Sequence, residues 1–142
     1  LSYIHEQRGK AIINLYKKLI ELQSALLSLT RRIKEAGVDE KMEHQRAMTA
    51  YIKFQNYYLS HKILFPNDII TGLESLRDAS WKGLFNHEYW KNQLESDKRM
   101  NENSNTPYVE LIENSKKIHD RLPRLIEAIE NSFREILKSN VL

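Results

Sequence analysis

Residues 5–37 read HEQRGKAIINLYKKLIELQSALLSLTRRIKEAG. Apolar side chains recur at Ile12, Leu15, Leu19, Leu22, Leu26, Leu29 and Ile33, three and four residues apart in alternation. This is the period of a helix with one buried face. A second row, Ile13, Ile20 and Leu27, repeats every seven residues. At about 100° of turn per residue the rows span an arc of roughly 160°, broader than the seam of a two-stranded coil. A helix with so broad a face packs against at least two others. Gly37 supplies the stop, because glycine readily takes the left-handed conformation beyond a helix C-terminus. Roughly 35 residues at about 1.5 Å each would extend about 52 Å. The first turns are therefore expected to project, towards an upstream coiled coil or a second subunit.

The rest of the chain reads as further helices. Asp39 is placed to cap a second helix reaching about Lys62, with Ala47, Tyr51, Phe54 and Tyr58 inward and Met48, Ile52 and Leu59 beside them. Pro66 suits a first helical turn and forces Phe65 out of the helical region. Helix two should end near Ile63 and helix three begin near Pro66. Ile69, Ile70, Leu73, Leu76 and Leu84 give helix three its inward face. Gly83 and Asn86 predict a break or bend, with a short fifth helix over 84–95. Residues 95–107, ESDKRMNENSNTP, hold almost no apolar side chains and read as an exposed loop. Thr106 and Pro107 open a fourth helix with Leu111, Ile118, Leu122, Leu125, Ile129, Phe133 and Ile136 inward. Pro123 within it predicts a kink or short break at 119–123.

Bulk properties agree with one all-α domain over residues 1–142, complete or a piece of a longer chain. Four glycines and three prolines among 142 residues leave few interruptions, so the helices must be long. A chain of this size buries roughly 68–70% of its unfolded surface, enough for one core. With no cysteine there is no disulfide and no thiolate chemistry. No apolar run approaches the roughly 18 residues of a membrane span. Net charge is +3, but residues 1–36 hold seven basic and three acidic groups.

Few constellations point to chemistry. His5, His44, His61, His87 and His119 form no i, i+4 pair and no Glu-x-x-His motif. No arginine has a histidine at the spacing of HEPN-type ribonucleases. Glu74 and Asp78 are four apart, but nothing in the sequence drives their environments apart as acid–base work requires. No metal site and no cofactor is therefore expected. Lys17, Lys18, Arg31, Arg32 and Lys34 could form a nucleic-acid face with Tyr57, Tyr58, Trp81 and Trp90 as stacking platforms. Glu21 and Glu35 interrupt it. Tyr51, Tyr58 and Trp81 could line a small-molecule pocket. The aromatic-rich run YYLSHKILFPNDIITGLESL, residues 57–76, reads as a corner filled by rings.

The segments IHEQRGKAIINLYKKLIELQSAL and FQNYYLSHKILFPNDIITGLESL resemble a group of poorly characterised bacterial helical proteins. In that group a His-Glu-x-Arg entry, a Tyr-x-x-Leu helix and an Ile-x-Phe-Pro corner recur. The resemblance covers residues 4–76 and rests on His5, Glu6, Arg8, Tyr16, Leu19, Tyr58, Ile63, Phe65 and Pro66. It implies a membrane helix and a coiled coil upstream, with this chain as a cytoplasmic head tethered at the membrane. A start at Leu1, not Met, agrees with that expectation.

The sequence thus predicts a four-helix or five-helix antiparallel bundle with a long first helix. Its expected role is non-enzymatic, as an interaction or oligomerisation module. The expected partner is a second copy or another protein, met through Ile4, Ile12 and Ile13. The alternatives are a nucleic-acid-binding accessory domain using Lys17, Lys18, Arg31, Arg32 and Lys34, and a small-molecule sensor.

Overall fold

Helix α1, Tyr3–Leu29, carries the leucine row into the interior. Leu15, Leu19, Leu22, Leu26 and Leu29 are fully buried. Each contributes about 1.5–3 kcal/mol by leaving water. The computed structural model describes residues 2–102 and 104–139. Three further helices follow, α2 Glu40–His61, α3 Asn67–Arg99 and α4 Thr106–Ser139, with a 3₁₀ turn over Lys62–Leu64. No strand occurs among the described residues, so the fold is all-α. One apolar core draws on all four helices.

Helix α1 is shorter than the leucine periodicity predicts. It stops at Leu29, and Ile33 lies almost wholly in water. The terminal carbonyls find partners both near and far in the chain. Thr30 donates its amide and its hydroxyl to the Leu26 carbonyl, at 3.1 and 2.7 Å. Lys34 Nζ reaches the Leu29 carbonyl at 2.7 Å. Ser115 Oγ, from α4, donates to the Thr30 carbonyl at 2.6 Å. These bonds satisfy carbonyls that a helix end leaves without an intrahelical partner. Gly37 does adopt a left-handed φ of +86°, but in the following loop and not as a helix cap.

Helix α2 begins as expected, with Asp39 accepting from the amides of Lys41 and Met42 at 3.0 and 3.2 Å. Its end is the corner. Phe65 is extended at φ −103°, ψ 140°, and Pro66 lies just outside α3. Phe54, Tyr58 and Phe65 are buried there, Phe54 and Tyr58 stack at 6.0 Å, and Phe65 meets Phe133 of α4 at 6.3 Å.

The break expected at Gly83 and Asn86 is absent, and so is a separate fifth helix. Helix α3 runs unbroken from 67 to 99. Gly83 serves a contact: a Cβ there would lie 2.7 Å from Ile118 Cδ1, and Asn114 Nδ2 donates to the Gly83 carbonyl at 3.0 Å. A missing side chain lets α3 and α4 approach. Helix α3 thus ends at Arg99 and α4 begins at Thr106, closer together than the sequence predicts. Helix α4 continues through Pro123 without the expected interruption.

Helix α1 packs chiefly on α2, and α3 chiefly on α4; the α2–α3 seam is much thinner. Cross-helix pairs fix the order along each seam. Arg46 meets Glu21, and Ser28 meets Glu43, between α1 and α2. Arg77 meets Gln55, and Glu74 meets Tyr58, across α2 and α3. Gly72 faces Ile129 and Gly83 faces Ile118 across α3 and α4. Tyr16 bonds Glu130, and Thr30 bonds Ser115, between α1 and α4.

Candidate functional site

The predicted interaction residues do not form one surface. Ile12 is 1% exposed and belongs to the core, whereas Ile4 and Ile13 are 56% and 51% exposed. Ile4 and Ile13 are nine residues apart, which places them about 180° from each other around a helix. No flat partner can cover both.

A better-defined apolar surface lies on α3. Trp81, Phe85 and Tyr89 are 47%, 56% and 45% exposed. Successive fourth residues share one side of a helix, so the three rings form a row. Phe85 and Tyr89 stack at 6.3 Å, and Trp81 packs against Tyr51 of α2 at 5.7 Å. The row is left in water because α3 turns its other side inward, burying Ile69, Leu73, Leu76, Ser80, Leu84 and His87. Ile52 of α2 is also exposed. Sequence reading missed the row by treating α3 as broken at Gly83. On one continuous helix, the inward positions fix Trp81, Phe85 and Tyr89 as outward.

The expected sensor pocket is an open notch of about 220 Å³ lined by Tyr51, Glu74, Arg77, Asp78 and Trp81. Tyr58 is not part of it. Its ring is in the core and its hydroxyl donates to Glu74 Oε1 at 2.9 Å. Burial, then the Glu74 carboxylate, pushes the Tyr58 phenol well above its ordinary pKa.

The five basic residues proposed as a nucleic-acid face are divided. Lys17 and Lys18 lie midway along α1, and Lys18 Nζ sits 4.4 Å above the Tyr57 ring. Arg31, Arg32 and Lys34 fall in the loop after α1 and line a cleft of about 320 Å³. Lys91 and His87 of α3 face them, with Leu94, Tyr108, Leu111 and Ile112 as a largely apolar wall. Lys34 is fully engaged: it contacts Glu40 and Glu43 at 2.7 Å each and also the Leu29 carbonyl. Burial resists the charge on Glu43, but hydrogen bonds from Lys34 and Ser28 outweigh it and hold the carboxyl below its usual range. Lys91 is 3.9 Å from Glu40. Arg31 and Arg32 make no side-chain hydrogen bond or ion pair with any described residue.

His87 in the cleft and His119 beside Thr30 report the local environment. Burial pushes His87 down to about 4, against the Glu40 carboxylate 3.9 Å away, and Lys34, Lys91 and His44 add to the depression. His119, on the Thr30 hydroxyl at 3.2 Å, is lowered by burial and then by Arg31 and Arg32, despite an opposing backbone hydrogen bond. Behind the cleft His44 Nε2 lies 3.5 Å from Glu88 Oε2, yet that buried nitrogen has no aligned hydrogen-bond partner. Among the described residues no three histidine or carboxylate side chains converge in a way that could hold a metal ion. None of the described helices is long and apolar enough to cross a membrane. No family model matches this chain, and neither does any curated protein or solved structure.

Proposed function

We propose that this chain is a non-enzymatic, antiparallel four-helix-bundle module that pairs with a second copy of itself. Support for the bundle comes from the seams, where residue numbers fall on one helix as they rise on its neighbour. Support for pairing comes from one observation, the exposed row of Trp81, Phe85 and Tyr89 on a continuous α3.

The row is symmetric about Phe85. In an antiparallel pairing of two α3 helices, Phe85 meets its counterpart and Trp81 stands level with the other copy's Tyr89. A two-fold interface requires this self-matching. Aromatic side chains bury about 150–250 Å² each when fully covered, so three half-exposed rings supply roughly 300 Å² per copy. That is the central cluster of an interface of about 800 Å² per partner. Ile52 and the rim charges of Lys82 and Glu88 would complete it.

The test is the mass in solution over a wide concentration range. A reversible dimer abolished by Phe85→Glu, with helicity unchanged, supports the proposal. A strict monomer refutes it. A dimer untouched by Phe85→Glu but broken by Ile4→Glu/Ile13→Glu would move the contact to α1.

On the resemblance over residues 4–76 we further propose that the module is held at the cytoplasmic face of a membrane by a segment outside this chain. Fractionation of the protein expressed from its complete gene tests this. Recovery wholly in the soluble fraction would remove the tether from the account.

A further inference from the structure

The cleft beside the α1–α2 loop holds more positive charge than its own carboxylates balance. Arg31, Arg32, Lys34 and Lys91 line it, against Glu40 at its edge and Glu43 behind Lys34. Four lining cations thus meet Glu40 and Glu43, with Glu35 and Glu95 outside the lining, and His87 is neutral at pH 7. The Thr30 and Ser115 hydroxyls are already spent inside the protein. Ser115 Oγ is given to the Thr30 carbonyl, and Thr30 Oγ1 to the Leu26 carbonyl. What remains open are the two guanidinium groups, beside the Lys91 ammonium that Glu40 holds at 3.9 Å.

We propose that this cleft binds a small phosphate monoester carrying a ring, with Arg31, Arg32 and Lys91 on the phosphate and the ring against Tyr108, Leu111 and Ile112. A phosphate monoester carries about −1.5 to −2 charge at pH 7, which matches the unbalanced cations. Guanidinium groups present paired donors that fit phosphate oxygens two at a time. The cleft is of small-molecule size, about 320 Å³, and its wall is apolar where a ring would rest.

A free ligand fits better than a polynucleotide. A strand needs a basic track along several phosphates. Here Lys17 and Lys18 lie thirteen or more residues from Arg31 along the chain, roughly 20 Å of helix. Glu35, Glu40 and Glu95 flank the basic cluster. The charge is concentrated at one point.

AMP, inorganic phosphate, adenosine and a single-stranded oligonucleotide serve as probes, read by calorimetric titration and by melting temperature. The expected result is saturable AMP binding with a raised melting temperature, competition by inorganic phosphate, and no response to adenosine. Arg31→Glu/Arg32→Glu should weaken AMP by about tenfold or more, since charge-assisted hydrogen bonds are lost and reversed. Both arginines are exposed, so the variant should melt like the parent in ligand-free buffer. Failure of both AMP and phosphate to bind would overturn the proposal, as would undiminished AMP binding by the variant. Binding of phosphate without AMP would overturn the ring-bearing ligand, and binding of the oligonucleotide alone would make the surface a nucleic-acid contact. Phe85 does not line the cleft, so Phe85→Glu should leave AMP binding unchanged.

Discussion

Gly9 and Gly83 both sit inside helices, and a methyl group added to each should have opposite effects. Nothing lies within 4 Å of the Cβ position of Gly9. Gly9→Ala should therefore stabilise the fold by about 0.5–1 kcal/mol, through reduced freedom of the unfolded chain. At Gly83 the added carbon would lie 2.7 Å from Ile118 Cδ1 and 3.0 Å from its Cγ1. Overpacking costs about 1–3 kcal/mol, more than the helix preference of alanine returns, so Gly83→Ala should lose roughly 1 kcal/mol. Shortening Ile118 to Val in the same chain should recover part of that loss; urea unfolding of the variants checks each sign. His87 sets a pH dependence. Its pKa is about 4 in the folded protein and about 6.5 unfolded. The unfolded state therefore binds more protons between those values, and stability falls as pH drops from about 6.5 to 4, by at most about 3 kcal/mol. It is constant above that window as far as His87 is concerned. Denaturation at several pH values should show this slope, and His87→Gln should flatten it. At this scale the buried leucines were legible from spacing alone. Gly83 was not, because its reason is Ile118, 35 positions away in the chain.

Helix beginnings were easier to read than helix ends. Asp39 caps α2 through amides two and three residues ahead, a local relation that sequence displays. The end of α1 is instead tied to Ser115, 85 positions from Thr30. Apolar spacing carried Ile33 into the helix because no nearby residue announces the stop. Ser115→Ala should leave the buried Thr30 carbonyl without that donor and cost about 1–3 kcal/mol. Thermal or urea unfolding would register the loss, whereas an unchanged midpoint would show that water replaces the hydroxyl. At Pro123 the local expectation fails in the other direction. Proline removes one amide donor and crowds the carbonyl four residues back, but the inward residues Ile118, Leu122, Ile126, Ile129 and Phe133 keep α4 in register through it. Tertiary packing therefore outweighs the local cost, as it does at Gly83. The cleft was half legible. Arg31, Arg32 and Lys34 were marked as basic, but only the fold brings Lys91, His87 and Tyr108 to them.

For the whole molecule, the unequal seams matter most. Helices α1–α2 and α3–α4 pack as two close pairs, while α2 and α3 touch sparingly and leave aromatic surface beside their seam. An all-α chain with one core was readable from composition and period. The outward surface was not, since a residue is called outward only once the inward face of a continuous helix is known. That is why the sequence pairs Ile4 with Ile13, on opposite sides of α1, and does not join Trp81 to Phe85 and Tyr89 in one row. Sedimentation equilibrium of the unmodified chain and of Phe85→Glu, side by side across a wide concentration range, tests the central claim most directly. A concentration-dependent dimer in the first and a monomer of equal helicity in the second is the predicted result. A monomer in both, or a dimer in both, would contradict pairing through α3.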